Sequence, residues 1–482
     1  MEVDILTKIQ KKYETIQKHE KLAFWATFFI TLVANIYVFT NRMADHDDLL
    51  GDFVRTDSIG KYARSGKWMN YFIRLPETEW GAPVTHGILS IMLLSVSVYY
   101  IVKILKIEHR VIVVMLAAIL GTFPLNACYF TFMSSAECYY FALFTAVLSV
   151  WFVEKGTIIS FFVAIICNVM CLATYQTFLG ISIGLIAILY YLKSVESDFD
   201  FKSWFLCGLR DTTMVIVSFL VYQKVTNFIL KTTNMTLIPY MAEDQLFVFS
   251  FGNIIDSIKL TFASFRSTYY RTYEMQVMGW DTVNIILTIL LVVWIFTKVV
   301  GIIKKKNIKL MTIIQIGIMG GLTLMIPVLL DNVYFLLNGR TYAHGLMRYC
   351  ILLPYMLIAA VMQRIVKDSE YKIVLKNGML LLNSICLIWV IYCGFVTTNK
   401  LYTRMDTNNM AIDTQMTSIM TQLYQTEGYT VDTPLYFANT TSILGDGYTK
   451  WKSFDELTNT AWWQNIVSGD YMSYYEKMYK DR

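Results

Sequence analysis

Charged residues are scarce in this chain. Asp, Glu, Lys and Arg make up 16% of its 482 residues, and hydrophobic residues make up 56%. Soluble domains contain about 25% charged residues, so this balance excludes an ordinary soluble domain and indicates a polytopic membrane protein. The net charge of +5 is spread over short loops and forms no concentrated basic face, which argues against nucleic-acid binding.

Several motifs of soluble enzymes are also missing. The chain has no glycine-rich phosphate loop, no nucleophile elbow and no zinc motif, so nothing indicates direct use of a nucleotide. Its eight cysteines lie in or beside apolar runs, where we expect buried, reduced thiols. No cysteine follows Cys393, so the C-terminal tail is expected to fold without disulfides. No internal repeat is visible.

Apolar runs of bilayer length dominate the chain. A helix needs about 20 apolar residues to cross a bilayer, and these segments approach that length: 22–41, 84–105, 111–127, 137–153, 157–175, 177–192, 205–229, 283–303, 310–330, 346–363 and 373–397. The sequence therefore predicts an all-α polytopic membrane protein of about eleven transmembrane helices, with a transmembrane domain over 1–398. The polar tail, 399–482, is expected to form a small external α/β domain, with a strand at "TPLYFAN" and a helical end rich in Trp and Tyr.

Lysine and arginine are distributed unevenly between alternate loops. The N-terminal segment and every second loop after it carry clusters of Lys and Arg, whereas "PLNACYFTFMSSA" and "TYQTFLG" carry none. By the positive-inside rule, the N-terminus is expected to be cytoplasmic and the C-terminus extracytoplasmic. Two of the external loops are long, at 42–83 and 231–282.

The first long loop begins with a cluster of carboxylates. The stretch "NRMADHDDLLGDFVRTDSIGKYARSGKW" has Asp45, Asp47 and Asp48 directly after the first span. Partial desolvation there would raise the basicity of a carboxylate, as a general base for a sugar hydroxyl requires. The alternative is a solvated surface helix with Asp as its N-cap.

Basic residues follow these carboxylates, although the positive-inside rule disfavours Lys and Arg in an external loop. Arg55, Arg64 and Lys67 could hold a phosphate at the membrane face, Arg by bidentate hydrogen bonds. Attraction to anionic lipid headgroups is the alternative. The external loop "LLNGRTYAHGLMRY" adds three residues at helical spacing, as phosphate or sugar contacts or as interfacial anchors: Arg340, His344 and Arg348.

Polar and aromatic residues mark the external ends of two other spans. In "LATYQTFLG", Tyr175 and Gln176 offer a ring on which a sugar can stack and an amide beside it, although interfacial Tyr is commonplace. Glu137 lies at the external mouth of another span and is open to the same two interpretations.

These features resemble the serotype-converting glucosyltransferase II (GtrII-like) family of the GT-C superfamily of membrane glycosyltransferases. The resemblance is carried by "DHDD" past the first span, by "ARSGKW", where the family has a small-Gly-Arg-Trp pattern, and by "LATYQTFLG", which is similar to its Tyr-Gln signature. Lys67 stands where Arg is more usual. The resemblance extends over residues 45–348 and implies a GT-C-like helical bundle; the tail beyond residue 399 matches no motif.

The resemblance implies an inverting glycosyltransferase of the bacterial plasma membrane. It would move one hexose, such as glucose, from a polyprenyl-phosphate donor to a cell-surface glycan such as O-antigen or teichoic acid. Asp47 or Asp48 would be the base, with Asp45 beside them, and five cations would serve the donor phosphate: Arg55, Arg64, Lys67, Arg340 and Arg348. The sugar pocket would be shaped by Tyr175, Gln176, His344 and Glu137. No cofactor is implied; the reaction does not demand a metal, although adjacent carboxylates could bind a divalent ion.

Two other function classes fit a polytopic chain. A transporter or flippase of lipid-linked sugars is expected to keep ionisable residues mid-membrane and often to show repeated halves. Here the charges collect at the external ends of the spans and no repeat is visible, which favours the enzyme. A scaffold without catalysis is the third interpretation, and it would tolerate loss of Asp47 and Asp48.

Overall fold

The computed structural model describes residues 14–41, 58–75, 82–238, 251–271, 277–306, 310–336, 343, 345–368, 373–430 and 433. Within these ranges the chain is helical and contains no strand. All but the first residue of the predicted strand "TPLYFAN", and the whole helical end of the tail, lie outside them. The predicted α/β character of the tail therefore remains a prediction.

The described helices, in chain order, are α1 (Lys18–Thr40), α2 (Ile59–Ala63), α3 (Met69–Ile73), α4 (Pro83–Leu105), α5 (Arg110–Thr122), α6 (Leu125–Thr131), α7 (Ala136–Val153), α8 (Ile158–Thr174), α9 (Leu179–Ser194), α10 (Phe201–Thr232), α11 (Phe251–Tyr270), α12 (Trp280–Lys306), α13 (Leu310–Leu324), α14 (Ile326–Leu330), α15 (Val333–Leu336), α16 (Leu353–Lys367) and α17 (Ile373–Gln425). Short 3₁₀ turns lie at Met133–Ser135, Gln176–Phe178, Gly345–Met347 and Tyr349–Leu352.

The chain is a multi-pass membrane protein. In the described part, eight helical segments are long and apolar enough to cross a bilayer: α1, α4, α7, α9, α10, α12, α16 and α17, some with their preceding 3₁₀ turn. The pair α5 and α6, bent by 48°, makes a ninth. The helices α8 and α13 have only 17 and 15 residues, fewer than the roughly 20 of a typical span. Every predicted segment overlaps a helix, but the predicted count of eleven spans is not confirmed by these lengths.

Close helix contacts in the bundle are made by small and polar residues. A Cβ on Gly121 of α5 would lie 2.5 Å from the Thr31 hydroxyl of α1, so the two helices approach as membrane helices do at small residues. Asn35 Nδ2 donates to the Gly121 carbonyl at 3.2 Å, and the Tyr402 hydroxyl donates to Asn35 Oδ1 at 2.7 Å. The C-terminal half of α17 is therefore bonded to the first span.

The helix α17 also crosses the predicted domain boundary. It runs unbroken over 53 residues, from Ile373 to Gln425, and so continues through positions 398 and 399. At about 1.5 Å per residue it is roughly 80 Å long, well beyond the thickness of a bilayer. The membrane part and the beginning of the tail are thus one continuous helix.

The bundle has two chemically different ends. At the end where α1 begins, basic residues pair with acidic ones: Lys103 with Glu20, Lys193 with Glu154, and Lys367 with Glu108, at 2.8–3.4 Å. At the end where α1 finishes, four buried tyrosines cluster: Tyr129, Tyr139, Tyr175 and Tyr349. We name these the basic end and the aromatic end.

Candidate functional site

The structure describes half of the predicted site residues. Six lie outside the described residues and remain predictions: Asp45, Asp47, Asp48, Arg55, Arg340 and His344. The other six all lie at the aromatic end: Arg64, Lys67, Glu137, Tyr175, Gln176 and Arg348. The following contacts show which of these come together.

The "ARSGKW" segment forms a tight turn between α2 and α3. Gly66 N donates to Ala63 O and Lys67 N donates to Tyr62 O, both at 2.9 Å, which is the hydrogen-bond pattern of a Schellman C-cap. This cap needs a residue in the left-handed region just after the helix, and Gly66 has a φ of 72°. The helix α2 therefore ends here. We name residues 64–68 the glycine turn.

Two buried side chains bind the carbonyls of the glycine turn. Gln176 Nε2 donates to Ser65 O at 2.9 Å and to the Tyr222 hydroxyl at 3.0 Å. The Tyr222 hydroxyl donates to Gly66 O at 3.1 Å. Ser65 and Gln176 are 111 residues apart in sequence. Packing of α8, α9 and α10 thus joins the two motifs that were quoted separately from the sequence. We name Gln176 and Tyr222 the clasp.

The same junction puts a cation over an aromatic ring. Lys67 Nζ lies 5.0 Å from the centroid of the Tyr175 ring, within the range of about 6 Å for a cation–π contact. Tyr175 is the C-cap of α8 and has extended backbone, so its ring leaves the helix just before the 3₁₀ turn Gln176–Phe178. Lys67 is half-buried, whereas Arg64 is exposed.

Aromatic rings continue from Tyr175 into the bundle. The centroid distances are 5.1 Å from Tyr175 to Tyr139, 5.0 Å from Tyr139 to Tyr129 and 5.7 Å from Tyr129 to Tyr349. The Tyr129 hydroxyl donates to Leu346 O at 2.9 Å. The segment that precedes α16 is therefore packed on the same cluster as the turn.

Arg348 is buried and bonded to α11. Its Nη2 donates to the hydroxyls of Ser264, at 3.0 Å, and Thr268, and only 8% of the residue is exposed. Ser264 donates in turn to Asp331 Oδ2 at 2.8 Å, and Asp331 is fully buried. Both hydrogens of Nη2 are thus used by the protein. The predicted role of Arg348 at the donor phosphate remains a prediction.

Glu137 is joined to a histidine. Its Oε2 lies 3.0 Å from His86 Nδ1, and both side chains are buried. Glu137 is in the first turn of α7 and His86 in the first turn of α4. A carboxylate is favoured at a helix N-terminus by the helix dipole, so the pair ties together the beginnings of two spans. Its predicted contact with a sugar remains a prediction.

Four residues of this end were missed by the sequence analysis: Tyr222, His86, Ser264 and Asp331. Asp331 had a usable signal, because an acid that ends the apolar run "IPVLLDN" is expected to have a polar partner inside the bundle. Tyr222 had none, because tyrosine is common in apolar runs near the membrane surface. Its role depends on which loop reaches it.

Metal-ligating side chains do not cluster in the described part of the chain. There, no three His, Cys, Asp or Glu side chains lie close enough to hold a metal ion. The eight cysteines form no disulfide, and all but Cys207 are buried, as predicted. The acidic cluster of the first long loop lies outside the described residues.

An apolar cavity lies elsewhere in the bundle. It has a volume of about 170 Å³ and is lined by residues of α11, α12, α14 and α16 and by Thr323 of α13. Four of the polar groups on its walls bond in pairs; the Tyr355 hydroxyl donates to Asn284 at 2.9 Å, and the hydroxyls of Tyr270 and Thr288 lie 2.8 Å apart. None of the predicted site residues lines it.

One comparison with known proteins identifies a family. The family model of glucosyl transferase GtrII matches residues 36–362, from the last turn of α1 into α16. The match includes the glycine turn, the clasp and the aromatic cluster, whereas α17 and the tail lie beyond it. No curated protein and no solved structure matches the chain.

Proposed function

The chain belongs to the glucosyl transferase GtrII family, and from this membership we propose that it moves one hexose from a polyprenyl-phosphate donor to a surface glycan. Membership makes the chain a glycosyltransferase, which uses a sugar donor and a glycan acceptor. We propose three further points: the donor sugar is carried on a polyprenyl phosphate, the acceptor glycan lies outside the bacterial plasma membrane, and transfer inverts the anomeric carbon.

The observation that carries the proposal is the cation beside an aromatic ring at the aromatic end. Lys67 Nζ lies 5.0 Å from the Tyr175 ring, on a turn held by buried side chains. A departing phosphate needs fixed positive charge where its own charge develops, and a sugar packs well on a ring. The two requirements are met side by side.

The proposed reaction is a single displacement. Asp47 or Asp48 takes the proton of the acceptor hydroxyl, the acceptor oxygen bonds to the anomeric carbon, and the bond from that carbon to the phosphate oxygen breaks. The lipid phosphate leaves as an anion near the cations Arg55, Arg64, Lys67, Arg340 and Arg348. The sugar is bordered by Tyr175, Gln176, Glu137 and His344, and Asp45 supports the acidic cluster.

The charge distribution supports an external reaction. Lysine and arginine pair with acids at the basic end, and the positive-inside rule favours a cytoplasmic location for such an end. The N-terminus would then be cytoplasmic, and the aromatic end would face outward with the acidic loop that follows α1.

The transporter alternative finds less support. The charged or ionisable side chains that are buried in the described bundle lie towards its two ends: Glu20, His86, Glu137, Asp211, Asp331 and Arg348. Asp211 bonds to Arg210 at 2.7 Å, and Arg210 bonds to Glu154 at the basic end. A translocation path is expected to have ionisable groups near the membrane centre.

Transfer from a synthetic donor tests the proposal. Purified protein is incubated with polyprenyl-phosphate glucose and surface glycan, and release of polyprenyl phosphate is measured. We expect Asp47→Asn combined with Asp48→Asn to lower turnover by about 10²–10⁴-fold, because the general base is lost. The control Asp198→Asn removes an exposed acid at the basic end and should keep turnover. Wild-type turnover in the double variant would contradict the assignment of the base.

A further inference from the structure

We infer that Gln176 and Tyr222 are positioning residues, which hold the glycine turn so that Lys67 meets the lipid phosphate. The inference rests on the proposed function, since it assigns a supporting role within the same site. It also changes the interpretation of Gln176, whose amide nitrogen faces the protein backbone and a phenol.

The hydrogens of the clasp are fully used. Both hydrogens of Gln176 Nε2 have acceptors, Ser65 O at 2.9 Å and the Tyr222 oxygen at 3.0 Å. The single hydroxyl hydrogen of Tyr222 goes to Gly66 O at 3.1 Å. Gln176 is 4% exposed and Tyr222 is 7% exposed, so water does not replace these bonds. Neither group has a hydrogen left with which to donate to a sugar or a phosphate.

The carbonyls that the clasp binds lie just past the end of α2. The carbonyls at the end of that helix are satisfied by the cap, since Tyr62 O accepts from Lys67 N and Ala63 O accepts from Gly66 N. Here Ser65 O and Gly66 O are bound by the clasp, and Arg64 O accepts from Ile238 N at 2.9 Å. Three consecutive carbonyls of the glycine turn are thus held from outside it.

The far side of the turn is tied to α10 as well. Trp68 Nε1 donates to the Thr226 hydroxyl at 3.1 Å, one helical turn beyond Tyr222. Two side chains of α10 therefore flank Lys67 in the chain, one bound at Gly66 and one at Trp68. The backbone of Lys67 is fixed on both sides, and its side-chain ammonium group lies over the Tyr175 ring.

The register of this junction follows from the sequence neighbours of the clasp. Lys67 directly follows Gly66, and Tyr175 directly precedes Gln176. A bond between the Gln176 amide and the glycine turn therefore brings the Lys67 ammonium group and the Tyr175 ring together, and they lie 5.0 Å apart. The Tyr222 hydroxyl orients the amide and binds the next carbonyl. It acts on the phosphate through Lys67 and does not touch it.

A double-mutant cycle tests this role. Tyr222→Phe keeps the ring and removes the hydroxyl together with two buried hydrogen bonds, one donated to Gly66 O and one accepted from Gln176 Nε2. The affinity of purified protein for polyprenyl phosphate should therefore fall about tenfold or more. In the Lys67→Met background, the same change should alter this affinity by less than about twofold. Binding of a polyprenol of equal length, which lacks the phosphate, should not change in any variant.

A matched control separates positioning from stability. Tyr402→Phe deletes another buried hydroxyl, the donor to Asn35, far from the glycine turn in sequence. It should also lower the midpoint of thermal unfolding, yet leave phosphate affinity unchanged. Three outcomes would overturn this inference and leave the proposed donor standing. Tyr222→Phe could lower phosphate affinity equally in both Lys67 backgrounds, it could lower polyprenol binding in parallel, or it could lower neither. Failure of the wild type to bind polyprenyl phosphate would overturn the proposed donor and this inference together.

Discussion

Gly66→Ala tests directly whether the conformation of the glycine turn and its contact with the clasp are needed for activity. Gly66 has a φ of 72°, in the left-handed region that residues with a Cβ avoid. A Cβ there would lie 2.2 Å from the Tyr222 hydroxyl oxygen and 2.5 Å from Gln176 Nε2. Both distances are too short for non-bonded atoms, so one methyl group must displace the clasp.

The expected magnitude follows from these two effects. The left-handed conformation costs about 1–2 kcal/mol for a residue with a Cβ. The three hydrogen bonds of the clasp contribute about 1 kcal/mol each. The torsional cost and the loss of the three hydrogen bonds together amount to at least about 4 kcal/mol. This corresponds to a factor of about 10³ in the equilibrium between the bound and the released turn. We therefore expect kcat/KM for the donor to fall by about 10²–10³-fold.

The assay is donor turnover measured beside thermal unfolding. The bundle itself should stay folded, because the turn lies at its end and the spans pack without it. Gly156→Ala is the control, since Gly156 has a φ of 70° at the basic end but its Cβ would meet nothing closer than Arg210 at 3.5 Å. This control carries the same torsional cost without a clash, so its kcat/KM should remain that of the wild type. A Gly66→Ala variant with wild-type kcat/KM, or one no worse than Gly156→Ala, would refute the reasoning.

Two other predictions concern charge. Lys67→Arg should keep donor turnover, because a guanidinium supplies the same charge and binds phosphate by two hydrogen bonds. Lys67→Gln removes the charge and should lower kcat/KM by about tenfold or more. Kinetics at low and high salt measure both effects, and equal activity of Lys67→Gln and wild type would contradict the assigned role of Lys67. Asp331→Asn should lower the free energy of unfolding by about 2–3 kcal/mol, because the buried carboxylate accepts from Ser264 beside the Arg348 guanidinium. Thermal unfolding measures this loss against the exposed Asp198→Asn, and an unchanged midpoint would count against it.

The membrane nature of the chain was determined by local sequence. The segment predicted at 84–105 is α4, Pro83–Leu105, and the other apolar runs overlap helices in the same way. Apolar length is a property of consecutive residues, so it can be counted without knowing the fold. The same holds for the short motifs "ARSGKW" and "LATYQTFLG", and the family match confirms the membership that they predicted.

The shape of individual spans was decided by neighbours along and across the chain. The segment predicted at 111–127 breaks between α5 and α6 at Phe123, whose backbone is extended because a proline follows it. The helix α11 lies within the long loop predicted at 231–282 and was not foreseen as a helix, since its sequence is amphipathic and too polar to read as a span.

Local sequence therefore established the class of this protein, the positions of its apolar helices and its family motifs, because these depend on residues that are near one another in the chain. Tertiary structure alone decided that Gln176 bonds the glycine turn, that Tyr222 completes the clasp and that Arg348 is buried among the hydroxyls of α11. A hydrogen bond acts over about 3 Å, so its partners are chosen by how the helices pack, and the partners here lie 46 to 156 residues apart.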